Sequence, residues 1–260
     1  MPSKVYFTRN ITPENVLKLY EACGLELSGN VAVKLHSGEK GNQNFLPPEF
    51  WRSMIERVHG TVVECNTAYP GSRNTTAAHW QTMRDHGWSD AFTVDIMDEE
   101  GPDLQLLIPN GKVIQKNYVG KHLTRYDSLL VLSHFKGHPM GGFGGALKQL
   151  SIGVASSHGK AYIHGAGNAK VGFGADHDLS VDCDCCAVAE NPCMADIGIM
   201  ASLDPIAIDQ ACVDMVYAAT DDPGQKHMLE RIESRHGIYT IECAAELGFG
   251  SREYERIDLD

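Results

Sequence analysis

Four cysteines crowd into eleven residues of this chain: Cys183, Cys185, Cys186 and Cys193. In an extended segment Cys183 and Cys185 project to one side, while Asp182, Asp184 and Cys186 project to the other. Two thiolates on one side can grip a metal ion such as zinc, or one edge of an iron–sulfur cluster. Cys193 is the expected third ligand, folding back across the turn before Pro192, with His164 as a further donor. Cys183-x-x-Cys186 is also a redox-type spacing, although a thioredoxin-like pair should open a helix. No second Cys-x-x-Cys and no ferredoxin run ending in Cys-Pro accompanies it. A reactive thiol and plain buried thiols therefore stay open as readings. The scattered Cys23, Cys65, Cys212 and Cys243 read as small buried hydrophobes.

A second group of chemically active residues follows apolar, strand-like runs. Lys34, His36 and Glu39 follow one such run, and Asn66, Tyr69 and Arg73 follow another. His134, Lys136 and His138 follow a third, leading into Gly141-Gly-Phe-Gly-Gly145 and Lys148. Ligands gather beyond the carboxyl ends of parallel strands, so these stretches are expected at one edge and His36, Tyr69, Arg73, His134 and Lys136 in one cleft. The bases Lys34, Arg73, Lys136 and Lys148 suit a small anion. Gly142, Gly144 and Gly145 add backbone amides ahead of a helix N-terminus. His36, Glu39, His134 and His138 are the candidates for proton transfer, since imidazole titrates near neutral pH. His134 and His138 stand four apart, but Gly137 and Pro139 argue for a loop rather than a helix face. Neither a Walker loop nor a Gly-x-Gly-x-x-Gly fingerprint is present.

Alternating elements must position these residues. Strands are expected at Lys4–Thr8, Asn30–His36, Thr61–Cys65 and Ser128–Ser133, separated by helices over 12–23, 48–58 and 75–86. Leu104–Ile108 and Lys112–Ile114 flank Pro-Asn-Gly, a hairpin signal. A helix opens near Gly145, and a long loop runs from Ser151 to Leu203. Asp204-Pro205 then caps a helix reaching Tyr217, and two more follow near 225–235 and 240–247. This is an α/β pattern: a largely parallel central sheet, helices on both faces and a long elaborated loop region, in one domain over 1–260.

The 260 residues are 43% apolar, enough to fill a core. Acids outnumber bases 34 to 22, for a net charge of −12, and no basic patch offers a nucleic-acid footprint. The apolar runs are far too short to span a membrane, and the N-terminus has no signal-like core. A soluble, cytoplasmic protein is expected, and a reducing compartment suits free thiols.

The stretches Val33-Lys-Leu-His-Ser-Gly-Glu39, Asn66-Thr-Ala-Tyr-Pro-Gly-Ser-Arg73, Ser133-His-Phe-Lys-Gly-His138, Gly142-Phe-Gly-Gly-Ala-Leu-Lys148, Asp182-Cys-Asp-Cys185 and the run from Asp196 to Ala211 together resemble the DUF362 family, in the family's order. Its members are often labelled uncharacterised iron–sulfur centre proteins. Many relatives carry a ferredoxin-like two-cluster insert after the stretch equivalent to Lys160–His164. Only Gly165 to Ser180 occupies that place here, without a cysteine, so the resemblance implies the core with its own Asp-Cys-Asp-Cys motif.

The expectation is a redox protein or enzyme that binds an iron–sulfur cluster or another thiolate-held metal. It would have a small anionic ligand and a possible redox partner protein. The alternatives are a metal-dependent hydrolase or isomerase acting on a small carboxylate or phosphate, with His36 or Glu39 as base, and a cofactor-binding module without turnover. Replacing Cys183 and Cys185 by Ser in protein made anaerobically is expected to abolish bound metal and any visible absorption. Unchanged metal content and spectrum would exclude these thiols as ligands.

Overall fold

The computed structural model describes residues 1–170 and 191–260. Cys183, Cys185 and Cys186 lie outside the described residues.

The chain opens with β1 (Ser3–Thr8), α1 (Pro13–Ala22), β2 (Val31–Lys34), α2 (Pro48–Arg57), β3 (Thr61–Glu64), α3 (Thr76–Asp85), α4 (Trp88–Ala91) and β4 (Val94–Ile96). It continues through β5 (Leu104–Leu107), β6 (Lys116–Val119), a 3-10 turn (Lys121–Arg125), β7 (Ser128–Val131), β8 (Lys136–His138), β9 (Gly142–Gly144), α5 (Ala146–Leu150) and α6 (Ser157–His164). It closes with β10 (Ile199–Ser202), α7 (Pro205–Ala218), α8 (Gln225–Ser234), α9 (Tyr239–Glu246) and β11 (Tyr254–Asp258).

The central sheet has four strands in the order β4-β3-β2-β7, all parallel. Alternation along β2 sorts its side chains. Val31, Val33 and Leu35 join Trp51, Met54, Ile55, Met83 and Trp88 in a core shared with α2 to α4. Ala32 faces the other way, joining Val63, Cys65, Met97, Val119 and Val154 in a second core. Its even-numbered neighbour Lys34 is buried too. The element after β2 is helical for local reasons. Pro48 sits at its first turn, and apolar residues recur on one face.

Several boundaries differ from the sequence expectation. The strand at Lys4–Thr8 does not join the central sheet. As β1 it lies between β10, antiparallel, and β11, parallel, in a separate three-stranded sheet. The hairpin after Leu104 exists, but its return strand is β6 and not Lys112–Ile114. Leu104 pairs with Val119, which is buried, whereas Val113 is exposed and has no core to enter. Asn110, with φ at 61°, takes the left-handed turn conformation expected there. The expected loop over 151–203 holds α6, capped by the Ser156 hydroxyl accepting from Gly159 N–H, and β10. His138 and Gly142 belong to a small antiparallel ribbon, β8 with β9, and not to a loop. Glycine is a poor strand former, so this ribbon has almost no sequence signal. Among the described residues no helix is long and apolar enough to cross a membrane.

Two carboxylates join the C-terminal helices to the rest. Asp204 caps α7 by accepting from Ile206 and Ala207 N–H, and also accepts from Ser251 N–H and the Ser3 hydroxyl. Asp209, one turn later and buried, accepts from Ala146 and Leu147 N–H at 2.7 and 2.9 Å, capping α5 from a different helix. Burial pushes the Asp209 carboxyl up to about 6, against those two amides. A carboxyl raised in the folded state favours folding when protonated. Its contribution is present in full below the unfolded value near 4 and is lost as pH rises through about 6. Urea unfolding should therefore show stability falling across that window, by roughly 3 kcal/mol from this group. Asp209→Asn should flatten the slope, and a variant with the wild-type slope would refute the assignment.

Candidate functional site

Beyond the carboxyl ends of β2, β3 and β7 the described residues enclose a cavity of about 110 Å³. Its walls include Lys34, His36, Tyr69, Arg73, His134, Lys136, His138, Lys148 and His164. The cleft expected to gather His36, Tyr69, Arg73, His134 and Lys136 is present, although these residues span about a hundred positions of sequence. Three further cavity residues carry no motif that would have singled them out: Glu64, Gln149 and Lys160.

Glu64 organises the charge. Its carboxylate accepts from Ser37 Oγ at 2.6 Å, His79 Nε2 at 3.1 Å and Arg73 Nη1 at 3.3 Å, and lies 3.7 Å from Lys34 Nζ. All five side chains are buried. Burial by itself would raise the acid, but Arg73, Lys34 and the His79 bond outweigh it and hold Glu64 well below the usual range. His79 stands between Glu64 and Asn66, 3.1 Å from each, and Asn66 also donates to Thr76 Oγ1. Asn66 thus positions His79 and is not a wall of the cavity. Glu39 accepts from Arg73 Nε at 3.1 Å and from the Ser72 amide and hydroxyl. It lies behind Arg73, buried and engaged, and also forms no part of the wall.

Lys34 donates to Leu35 O at 2.5 Å and to Gln149 Oε1 at 2.8 Å. Burial, helped by Lys160 and Arg73 and opposed by Glu64, pushes its ammonium down to about 8. Lys160, also buried, donates to Ala155 O at 2.5 Å, and burial lowers it as well. Burial, then Arg73 and Lys136, keeps His36 well below 6.5, so the ring is neutral at pH 7. Gly38 N–H donates to Nδ1 at 2.9 Å, which places the ring proton on Nε2. Nε2 lies 3.2 Å from Arg73 Nη2. Two donors side by side favour an anion shared between them.

The opposite wall comes from the β8–β9 ribbon and α5. Lys136 pairs with Gly144 across the ribbon. A Cβ added to Gly144 would meet Lys148 Cδ at 3.0 Å and Lys136 Cε at 3.8 Å, so both lysine stems cross over this glycine. Gly142 is not in the wall. With φ at +78° it presses on the Gly237 and Ile232 backbone. The anion cradle expected at the N-terminus of α5 is occupied by the chain itself, because Asp209 takes the Ala146 and Leu147 amides. Any ligand is left to the cationic side chains. Ser133 Oγ is buried in the wall without a hydrogen-bond partner among the described residues. An apolar groove of about 540 Å³ adjoins this cavity and shares Ser133, His134, Lys136 and Gly145 with it.

Two members of the expected metal set, His164 and Cys193, lie among the described residues. His164, the last residue of α6, lines the cationic cavity. Cys193 packs with the core around Met228 and Ile232 and reaches Gly224 O at 3.7 Å. Among the described residues the metal-like grouping is elsewhere, at Asp95, Glu99 and His122.

Fold and cavity define an α/β protein with a small, cation-lined cavity at the carboxyl edge of a parallel sheet. The chain belongs to the DUF362 family, described as a domain of unknown function, whose family model matches residues 31–214. No curated protein matches it. Among solved structures it is similar to the lactate racemase apoprotein from Thermoanaerobacterium thermosaccharolyticum, at 15% identity and a TM-score of 0.42, covering 61% of this chain. The matched part is 40% of the racemase chain.

Arg73 bridges two buried carboxylates, so removing its charge leaves both uncompensated. Arg73→Met is expected to cost about 3–5 kcal/mol in urea unfolding at pH 7. Adding Glu64→Gln should recover part of that loss. If the double variant is no more stable than the single one, the coupling drawn here is absent.

Proposed function

We propose that this protein binds a small carboxylate or phosphate in the cationic cavity and transfers a proton to or from it. The observation that carries the reading is the wall itself. Lys34, Arg73, Lys136, Lys148 and Lys160 surround about 110 Å³, with Glu64 the one carboxylate in the wall among the described residues, in a chain of net charge −12. That concentration of positive charge opposes the balance of the whole molecule, and it serves an anionic ligand. The volume is room for several waters, hence for a ligand of a few heavy atoms.

In this reading Lys136, Lys148 and Arg73 hold the anion, and Ser133 Oγ supplies a neutral hydrogen bond. The Lys34 amine, near pH 8, is the proton carrier, and the neutral His36 ring adds its Nε2–H as a donor to the anion. His134 and His138 stand on the same wall as further proton-transfer groups. The reaction class is isomerisation or hydrolysis adjacent to the bound charge.

A second reading, thiolate-metal redox chemistry with an iron–sulfur cluster and a redox partner protein, is supported by the Asp182-Cys-Asp-Cys185 motif. His164 would link it to the cavity as a ligand. The serine double variant described above decides that reading independently.

Isothermal titration with inorganic phosphate and with acetate tests the anion site. Binding is expected in low salt, weakening with added chloride. Lys136→Ala and Lys148→Ala should each weaken it at least tenfold. Affinity should also fall as pH rises through about 8, where Lys34 loses its charge, and Lys34→Met should remove that dependence. Binding unchanged in both alanine variants would sink the proposal.

A further inference from the structure

A second polar site lies at the far edge of the parallel sheet, on β4 and the 3-10 turn. Asp95 is on β4, Glu99 and Glu100 follow it, and His122 sits in the turn. One ligand atom each from Asp95, Glu99 and His122 fall within 4.8 Å of one another. None of these residues lines the cationic cavity.

Acidic clusters are common on surfaces, and the informative residue is His122. It is 1% exposed, and its backbone N–H is fixed by Met97 O at 3.1 Å. Nδ1 lies 2.7 Å from Asp95 Oδ1. The other Asp95 oxygen accepts from the Tyr126 hydroxyl at 2.7 Å. Both Asp95 oxygens are thus engaged, and the Nδ1 contact orients the imidazole with a proton on Nδ1. Nε2 then carries the lone pair. That atom is buried and has no hydrogen-bond partner among the described residues. Facing it at 3.8 Å is Glu100 Oε2. In a neutral ring that lone pair faces a carboxylate, a repulsion that a metal ion between them would remove.

The arrangement has the form of a metal centre with its supporting shell. A carboxylate that receives one ring N–H and leaves the other nitrogen to a metal is the usual way a ligating histidine is oriented. A zinc ion about 2.0–2.2 Å from both a nitrogen and an oxygen ligand sets them roughly 3–4 Å apart, as Nε2 and Glu100 Oε2 are. Glu99 is oriented as well, because its Oε2 accepts from Trp80 Nε1 at 2.9 Å. Arg125 Nη2 lies 3.8 Å from the same Glu100 oxygen and is the competitor for it.

We propose that His122 Nε2, Glu99 and Glu100 bind one divalent transition-metal ion, with Asp95 as the positioning carboxylate. One imidazole and two carboxylates suit zinc or manganese. The ion would clip the segment after β4 to the turn before β7, holding the open edge of the sheet.

The test is titration of ZnCl2 into the EDTA-treated full-length protein at pH 7.5, with bound zinc counted after desalting. Glu99 and Glu100 are exposed, so E99Q/E100Q should fold normally, as circular dichroism will show. That variant and His122→Ala are expected to bind one zinc equivalent fewer than the wild type. Asp95→Asn should weaken the same equivalent 10–100-fold without abolishing it. Should the wild type bind no zinc, or E99Q/E100Q keep every equivalent at unchanged affinity, the site is refuted. In that case His122 is an imidazolium paired with Asp95 and Glu100, or the zinc belongs to the thiols.

Discussion

The buried carboxylate of Glu64 is the constraint on which the candidate site depends. An ionised carboxylate cannot sit in a core without compensation. Here the compensation comes from β2 through Lys34, from the β3–α3 connection through Arg73, and from α3 through His79. Glu64 therefore joins three consecutive parts of the chain at the carboxyl edge of the sheet. The lysines and Arg73 gathered around it are what the cavity presents to a ligand. Arg73 needs two acids, Glu64 and Glu39, and still directs Nη2 toward His36 and Tyr69. The network is both a structural joint and the origin of the cavity's field.

The second wall is built by a different device. Glycines at 142, 144 and 145 let a narrow ribbon and a short helix approach closely, leaving room for Lys136 and Lys148 to cross Gly144. Asp209 then closes the N-terminus of α5 from α7. A Cβ at Gly145 would fall 2.3 Å from its carboxylate. A glycine-rich loop ahead of a helix invites a phosphate-cradle reading, and the geometry supplies another reason for the same composition. The backbone must make way for an internal carboxylate, and the ligand's charge is left to lysine and arginine.

What the sequence determined by itself is considerable. The parallel α/β pattern follows from short apolar runs alternating with capped helices, as at Thr12-Pro13 and Asp204-Pro205. Cationic and imidazole residues stand just after three of those runs, at Lys34-x-His36, Arg73 and His134-x-Lys136. Strand ends in a parallel sheet lie side by side, so their convergence can be read without coordinates. The family resemblance rests on the same stretches, because they are the ones with distinctive composition.

Tertiary structure alone decided which of these residues face the cavity and which support it. Glu39 and Asn66 stand in the same motifs as His36 and Arg73, yet one backs an arginine and the other a histidine. Glu64, Lys160 and Gln149 reach the wall too, although no sequence signal marks them as wall residues. The separate sheet of β10, β1 and β11 could not be read either, since pairing between residues about two hundred positions apart leaves no local mark. The same holds for Asp95 and His122, twenty-seven residues apart across a sheet edge. Local sequence fixes what a residue can do and which element it belongs to. Its partners depend on long-range packing, where burial makes an unpaired charge too costly and so selects the few arrangements in which every charge is met.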